Sequence, residues 1–222
     1  MKKIGIVLII AGFAMVGWFS YQYWSGMQSV TKLNGDVVKV QDKSARSVTK
    51  NSSKKKLAKT EGTSSGKQTV ANNTTAANVN FHNGEGIATL VMPTIDLAFD
   101  VFWGTSSDVL AKGVGMYDSK LTSTPREFGH TVLSGHRDSV FRPVGDLKKG
   151  ESIYVRYLDE DYQYQINDIW ITDEDDHSVI VEKDEPTLTL STCYPFHFIG
   201  NAPERYIVQA DLVQTGDLLN LD

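Results

Sequence analysis

The larger, carboxyl-terminal part of this 222-residue chain predicts a single all-β barrel of seven or eight short strands with one brief helix. Three observations carry that expectation. From about residue 84 the apolar residues recur with period 2 in short runs, the spacing of a half-buried strand. Turn signals built on Pro, Gly and Asp separate those runs at short intervals. One segment alone carries helix punctuation, and short strands with so little helix suggest an all-β barrel.

The elements before the barrel read differently. Lys2 and Lys3 precede an uncharged run from Ile4 to Met27, long enough to cross a hydrocarbon core of about 30 Å. Trp18, Phe19, Tyr21, Tyr23 and Trp24 gather at its far end, where amphipathic rings suit a membrane interface. A cleaved signal would place small residues there instead, so residues 1–27 are expected to be an uncleaved anchor. The lysines at its start favour a cytoplasmic amino terminus and an extracytoplasmic body, that is, a single-pass protein of the cell membrane. Residues 28–82 are rich in Ser, Thr, Lys, Asn and Gly. They have no helical or strand period and too little apolar mass to repay their ordering entropy. They read as a flexible basic linker with an r.m.s. reach of roughly 40 Å.

The third segment, residues 83–222, holds the barrel. Residues 87–92 and 97–103 read as strands around the turn Pro93-Thr-Ile-Asp96, and Thr105–Lys112 as a short helix ending before Gly113. Residues 130–134, 152–157 and 162–171 follow as strands, with the acidic run Asp159-Glu-Asp161 as a hairpin turn. Residues 187–192 and 206–213 complete the set.

Charge divides the chain at the same boundary. Residues 1–80 carry 12 Lys/Arg against 3 Asp/Glu, and the remainder 10 against 24, so a net charge of −5 conceals a basic stem and an acidic body. An acidic body argues against nucleic acid as a partner, because phosphate binding needs clustered Lys/Arg. The single cysteine excludes an intramolecular disulfide and a Cys-rich zinc site.

That cysteine is the most informative residue. Cys193 ends the strand 187–192, and Tyr194-Pro195 follows, with no N–H on the proline to extend a ladder. The last strand begins just after Arg205. If the two strands pair antiparallel, Cys193 and Arg205 face each other across an 11-residue loop at one rim. A guanidinium there would favour the thiolate and offer fixed donors to an oxyanion formed in acyl transfer. Of five histidines, His82, His130, His136, His177 and His197, His136 is the best proton carrier. It lies just past a strand, in a loop opened by Gly135. Taken singly, an inert core thiol, a solvated histidine and a surface-paired arginine are the commoner fates of such residues.

Together they resemble a known family. Thr189-Leu-Ser-Thr-Cys193, with Arg205 twelve positions on and Ser134-Gly-His136 upstream, is similar to the sortases of Gram-positive bacteria over residues 84–216. The resemblance implies a closed barrel of about eight strands with one or two short helices, behind an anchor and tether. Small size and the lack of a lid motif resemble class D, with class A the near alternative. It implies a cysteine transpeptidase of thiol-protease type. Cys193 attacks a Leu-Pro-x-Thr-like sorting signal of a surface protein, and His136 gives and takes the proton. Arg205 stabilises the oxyanion and positions the substrate, with Thr192 in support. The partners it implies are sorting-signal proteins, a peptidoglycan amine as acceptor, and the membrane. No cofactor is expected; Ca²⁺ at Asp173-Glu-Asp-Asp176 is the alternative, although the run lacks EF-hand spacing and such runs are usually solvated. Two other readings stand beside it: a non-catalytic wall-binding barrel with an inert Cys193, and an L,D-transpeptidase or Cys-dependent wall hydrolase. The L,D-transpeptidase arrangement keeps His and Cys close in sequence, whereas here they are 57 apart.

Overall fold

The computed structural model describes residues 9–18, 20–21, 30–33, 80–197, 200 and 202–221. Most of the linker and both ends of the expected anchor lie outside them. Residues 9–18 and 20–21 are helical, and among the described residues no helix is long and apolar enough to cross a membrane.

Among the described residues nine strands form one sheet: β1 (Val30–Lys32), β2 (Gly86–Met92), β3 (Leu97–Trp103), β4 (Val114–Met116), β5 (His130–Ser134), β6 (Ser152–Tyr157), β7 (Glu160–Asp173), β8 (Thr187–Tyr194) and β9 (Glu204–Gly216). Their order is β1-β3-β2-β6-β7-β9-β8-β5-β4, and β4 returns to pair with β3. Strands β2 to β9 therefore close an eight-stranded barrel, and closure removes the free edges that an open sheet would expose. Residues 30–33 depart from the linker reading. β1 pairs with Leu97–Phe99 on the edge of β3 that β4 takes further along. Leu33 then joins Val91, Ala98, Tyr154 and Leu219 in a small apolar cluster. Two apolar residues, Val30 and Leu33, suffice to dock a segment whose composition is otherwise that of a tether.

Pro93–Ile95 form the expected turn as a single 3₁₀ turn, closed by Asp96 at φ 58° with its N–H donating to the Pro93 carbonyl. The helix α1 is shorter than its capping pattern predicts, Ser107–Leu110, and buries one side chain, Val109. The cap hydroxyl of Ser106 instead accepts a bond from Asn83 Nδ2 at 3.1 Å. Strand β4 gave no alternation to read, because its centre is Gly115. A Cβ there would lie 2.4 Å from the Gly104 carbonyl oxygen, so the backbones approach too closely for any side chain.

The core fills the barrel with Phe99, Phe141, Tyr162, Tyr164, Leu188, Leu190 and Val208 among others. On β7 the inward residues are Tyr162, Tyr164 and Ile166. The register then skips Asn167, and Ile169 packs inward in place of residue 168. This bulge inverts the alternation midway along the strand. The acidic hairpin turn also needs correction. Asp161 belongs to β7 and is 1% exposed. Burial alone would raise its pKa, but bidentate bonds from Arg156 and the amides of Leu218 and Leu219 hold it below the usual carboxylate range. Asp161 thus fastens the carboxyl-terminal tail across the barrel wall.

Two adjacent strands prepare the site. On β8, Leu188, Leu190 and Thr192 face inward, so Thr189, Ser191 and Cys193 face outward. On β9, Val208 and Ala210 face inward, which turns Arg205, Ile207 and Gln209 outward. Ile207 is nevertheless 1% exposed. Residues 174–186 cover that outer face, with Val179 buried and Lys183 Nζ donating to Gln209 Oε1 at 2.7 Å.

Candidate active site

Strand register brings the chemistry-bearing residues to one rim. Cys193 is the cross-strand partner of Arg205 in the antiparallel β8–β9 pair. Both side chains point outward, and opposed Cβ atoms in such a pair are about 5 Å apart. The thiol is half-buried and unpaired. β5 runs parallel to β8 with Ser134 opposite Ser191. His136 and Cys193 each lie two residues beyond that pair, so two parallel strands carry imidazole and thiol to the same end of the barrel.

Small contacts fix the loop that carries His136. Gly135 donates its N–H to the Ser191 carbonyl at 3.3 Å and accepts the Thr192 hydroxyl at 2.7 Å. A side chain at Gly135 would meet the Phe141 ring at 2.7 Å, so only glycine lets the loop lie this close to the core. Phe141 in turn donates its N–H to the His136 carbonyl at 3.0 Å, closing a turn that leaves the His136 side chain exposed. Thr192 is buried with its hydroxyl proton committed to Gly135. Its side chain therefore splices the Cys193 strand to the His136 loop.

Arg205 is held but not consumed. Its Nη1 donates to the carbonyls of Ala202 and Glu204, both at 3.0 Å, and Nη2 donates to Glu174 Oε2 at 3.2 Å. These bonds use three of five guanidinium N–H groups. The Glu174 pair is partly exposed, 29% and 38% for the two side chains, and a pair of that kind is worth at most about 1 kcal/mol. A developing oxyanion stabilised by about 3 kcal/mol would outcompete it. Glu174 lies in the acidic run read as a solvated or calcium-holding loop. Among the described residues no group of three or more His, Cys, Asp or Glu is placed to hold a metal ion.

Beyond Cys193, Tyr194 stacks on Tyr206 with ring centroids 6.1 Å apart, and Phe196 meets both rings edge-on. Arg137, next to His136, donates from Nη1 to the Pro195 carbonyl at 3.2 Å and from Nη2 to the Gly200 carbonyl at 2.7 Å. Sequence reading missed Arg137 and Glu174. Arg137 follows the histidine directly, but nothing in the sequence says which loop it would reach.

His130 is the one histidine built into the wall. Its Nδ1 lies 2.6 Å from the Val181 carbonyl and its Nε2 lies 2.8 Å from Thr189 Oγ1. A carbonyl only accepts, so Nδ1 carries a proton, while the Thr189 hydroxyl can serve Nε2 as donor or acceptor; burial is what favours the neutral ring. Burial, with a smaller push from the Lys183 charge, lowers its pKa despite the Val181 bond. The unfolded chain, with an ordinary histidine near 6.5, binds a proton that the folded chain refuses. The stability from this neutral ring is complete above about pH 6.5 and is lost as pH falls through the lower folded value. The unfolding free energy from urea titrations should fall below pH 6.5, with a slope from this group of up to about 1.4 kcal/mol per pH unit. His130→Gln should remove that part of the slope; an unchanged slope would reject the assignment.

The chain's kinship agrees with this geometry. The sortase domain family model matches residues 90–213, more than half of the chain. This chain belongs to the sortase family. Sortase D of Bacillus subtilis strain 168 is 42% identical over 126 residues, covering 56% of this chain and 63% of that protein. The match thus spans just under two thirds of that relative's length. The catalytic domain of Bacillus anthracis SrtD is 45% identical at a TM-score of 0.55, covering 64% of this chain and 97% of that one. A Clostridium perfringens sortase D5 transpeptidase is 31% identical at a TM-score of 0.54, covering 61% of this chain and 83% of that one. The relatives support class D, and the eight-stranded barrel with few helices is the sortase fold.

Proposed function

We propose that this sortase is a membrane-anchored transpeptidase that cuts a Leu-Pro-x-Thr-like sorting signal and joins the new carboxyl end to a cell-wall amine. Cys193 Sγ attacks the Thr carbonyl, the C–N bond breaks, and His136 delivers a proton to the departing amine. An incoming amine then attacks the thioester carbon and gives its proton to His136, and the Cys193 thiolate leaves. Free N–H groups of Arg205 receive the oxyanion in both steps. The observation that carries this reading is the cross-strand pairing of Cys193 with Arg205 on the outward face, at the rim where the His136 loop ends.

The membrane assignment is part of the same proposal. Ile9, Ile10, Phe13, Val16 and Trp18 are all exposed on the amino-terminal helix, and a lipid phase is what such a helix would suit. Lys2 and Lys3 orient it with the barrel outside. Peptidoglycan or its precursor then supplies the amine, and sorting-signal surface proteins of a Gram-positive cell supply the acyl group.

The full-length chain should cleave one or more members of a Leu-Pro-x-Thr peptide library and, with hydroxylamine as surrogate amine, yield the hydroxamate. If no peptide is cleaved and Cys193 resists iodoacetamide in the folded protein, the barrel is a non-catalytic wall-binding module instead.

A further inference from the structure

We propose that Arg137 is a positioning residue for the transpeptidation, clasping the loop between β8 and β9 to the loop that carries His136. The inference rests on the sortase reading of Cys193 and His136 and adds a part to that site. Arg137 is the immediate neighbour of His136, and its two terminal nitrogens hold carbonyls five residues apart in the other loop, those of Pro195 and Gly200. Pro195 lies two residues past Cys193. The guanidinium therefore ties the chain just beyond the nucleophile to the chain just beyond the histidine. Among the described residues it bonds these main-chain oxygens and no carboxylate. That is the pattern of a structural tie and not of a surface ion pair.

Other contacts hold the same loops and leave Arg137 a distinct place. On the near side, the Thr192 hydroxyl and the Gly135 amide fasten the His136 loop to β8. On the far side, Phe196 packs where a side chain on Gly145 would stand, 2.8 Å from the position of such a Cβ. Among the described residues, Arg137 makes the polar bonds that join the two loops beyond the ends of their strands, where the ladder no longer aligns them. Its planar fork holds the two acceptors in fixed directions, whereas a lysine would offer rotatable donors from a single point on a flexible stem. A shift of about 1 Å between reacting groups costs on the order of 100-fold in rate. The clasp thus acts through the relative placement of His136 and Cys193 and not through contact with substrate.

The test compares the full-length chain with Arg137→Ala and Arg137→Lys. Cleavage of a reactive Leu-Pro-x-Thr peptide is measured with active sites counted by thiol alkylation, beside amide hydrogen exchange. Arg137→Ala should lower kcat per titrated thiol roughly 10- to 100-fold with KM little changed, the signature of a purely transition-state loss. Exchange should quicken between Tyr194 and Arg205 but not in β5. Arg137→Lys should recover part of kcat. Wild-type kcat per titrated thiol in Arg137→Ala overturns the proposal, as does a lysine variant no better than alanine. Fewer reactive thiols at normal kcat would mark a folding role only and would also overturn it. If the unsubstituted chain cleaves no sorting peptide, the sortase reading itself fails and this role with it. A failed clasp is told apart because both the unsubstituted chain and Arg137→Ala then cleave.

Discussion

Cys193→Ala is expected to abolish peptide cleavage and transpeptidation, a loss on the order of 10⁴-fold or more. The size follows from the chemistry. Without a sulfur there is no thioester, and the remaining His136 and Arg205 can at most assist water, which is a poor substitute for a thiolate nucleophile. The fold should survive. Cys193 is half-buried on the outward face of β8, and the core beneath that strand is made by Leu188, Leu190 and Thr192. Removing one sulfur there opens no closed cavity, so stability should move by about 0.5 kcal/mol or less. Circular dichroism beside a cleavage assay separates the two effects, and intact-mass analysis should detect an acyl adduct on the unsubstituted chain alone. Residual turnover of even a few per cent in Cys193→Ala would assign the nucleophile elsewhere, and the chain has no second cysteine to take the part.

The residues of this site were legible in the sequence because hairpin geometry needs no distant information. A strand ending at Cys193 and another beginning near Arg205 meet wherever the two pair antiparallel, and they do so in register. His136 needed more. Its place beside Cys193 depends on a parallel pairing of β5 with β8, elements more than fifty residues apart. Its loop position past a strand singled it out among the histidines, and the family resemblance placed it beside Cys193. The clasp from Arg137 and the Glu174–Arg205 pair depend on how long side chains cross between loops, which no periodicity encodes. The fold shows the same division. Period-2 patterning and turn signals located β2, β3, β5, β6, β7, β8 and β9. β4 was invisible because Gly115 answers to the backbone of Gly104 and not to a pattern. On β7 the strand was legible but its change of face at the Asn167 bulge was not. Asp161 reads as a turn residue in the sequence because a buried carboxylate and a solvated one look alike until Arg156 and the tail amides are in place.

Arg205→Ala should lower kcat by about 10²- to 10³-fold, the usual loss for one oxyanion donor, or about 3 to 4 kcal/mol of transition-state stabilisation. Any part the guanidinium plays in binding substrate would add a rise in KM. The ground-state cost is small by comparison. The three bonds that Arg205 makes are to two carbonyls and the partly exposed Glu174 carboxylate, all of which water can satisfy once the guanidinium is gone. A large kinetic loss with a small change in urea midpoint is therefore the expected pair of results. Arg205→Lys discriminates between charge and geometry. Lysine keeps the positive charge but brings a point donor in place of a planar fork. If general electrostatics beside Cys193 is what matters, Arg205→Lys should keep most of the rate. If the Nη1 bonds aim the remaining N–H groups at the oxyanion, it should fall nearly as far as alanine. The geometry favours the second outcome, because both Nη1 bonds are made to carbonyls of the segment leading into β9 and fix the plane of the guanidinium before any substrate arrives. Glu174→Gln supplies the control. It keeps the side-chain shape while removing a charge whose pairing is worth about 1 kcal/mol at most, so its rate should stay within roughly fivefold of the unsubstituted chain. An Arg205→Ala variant as active as Glu174→Gln would remove Arg205 from the reaction.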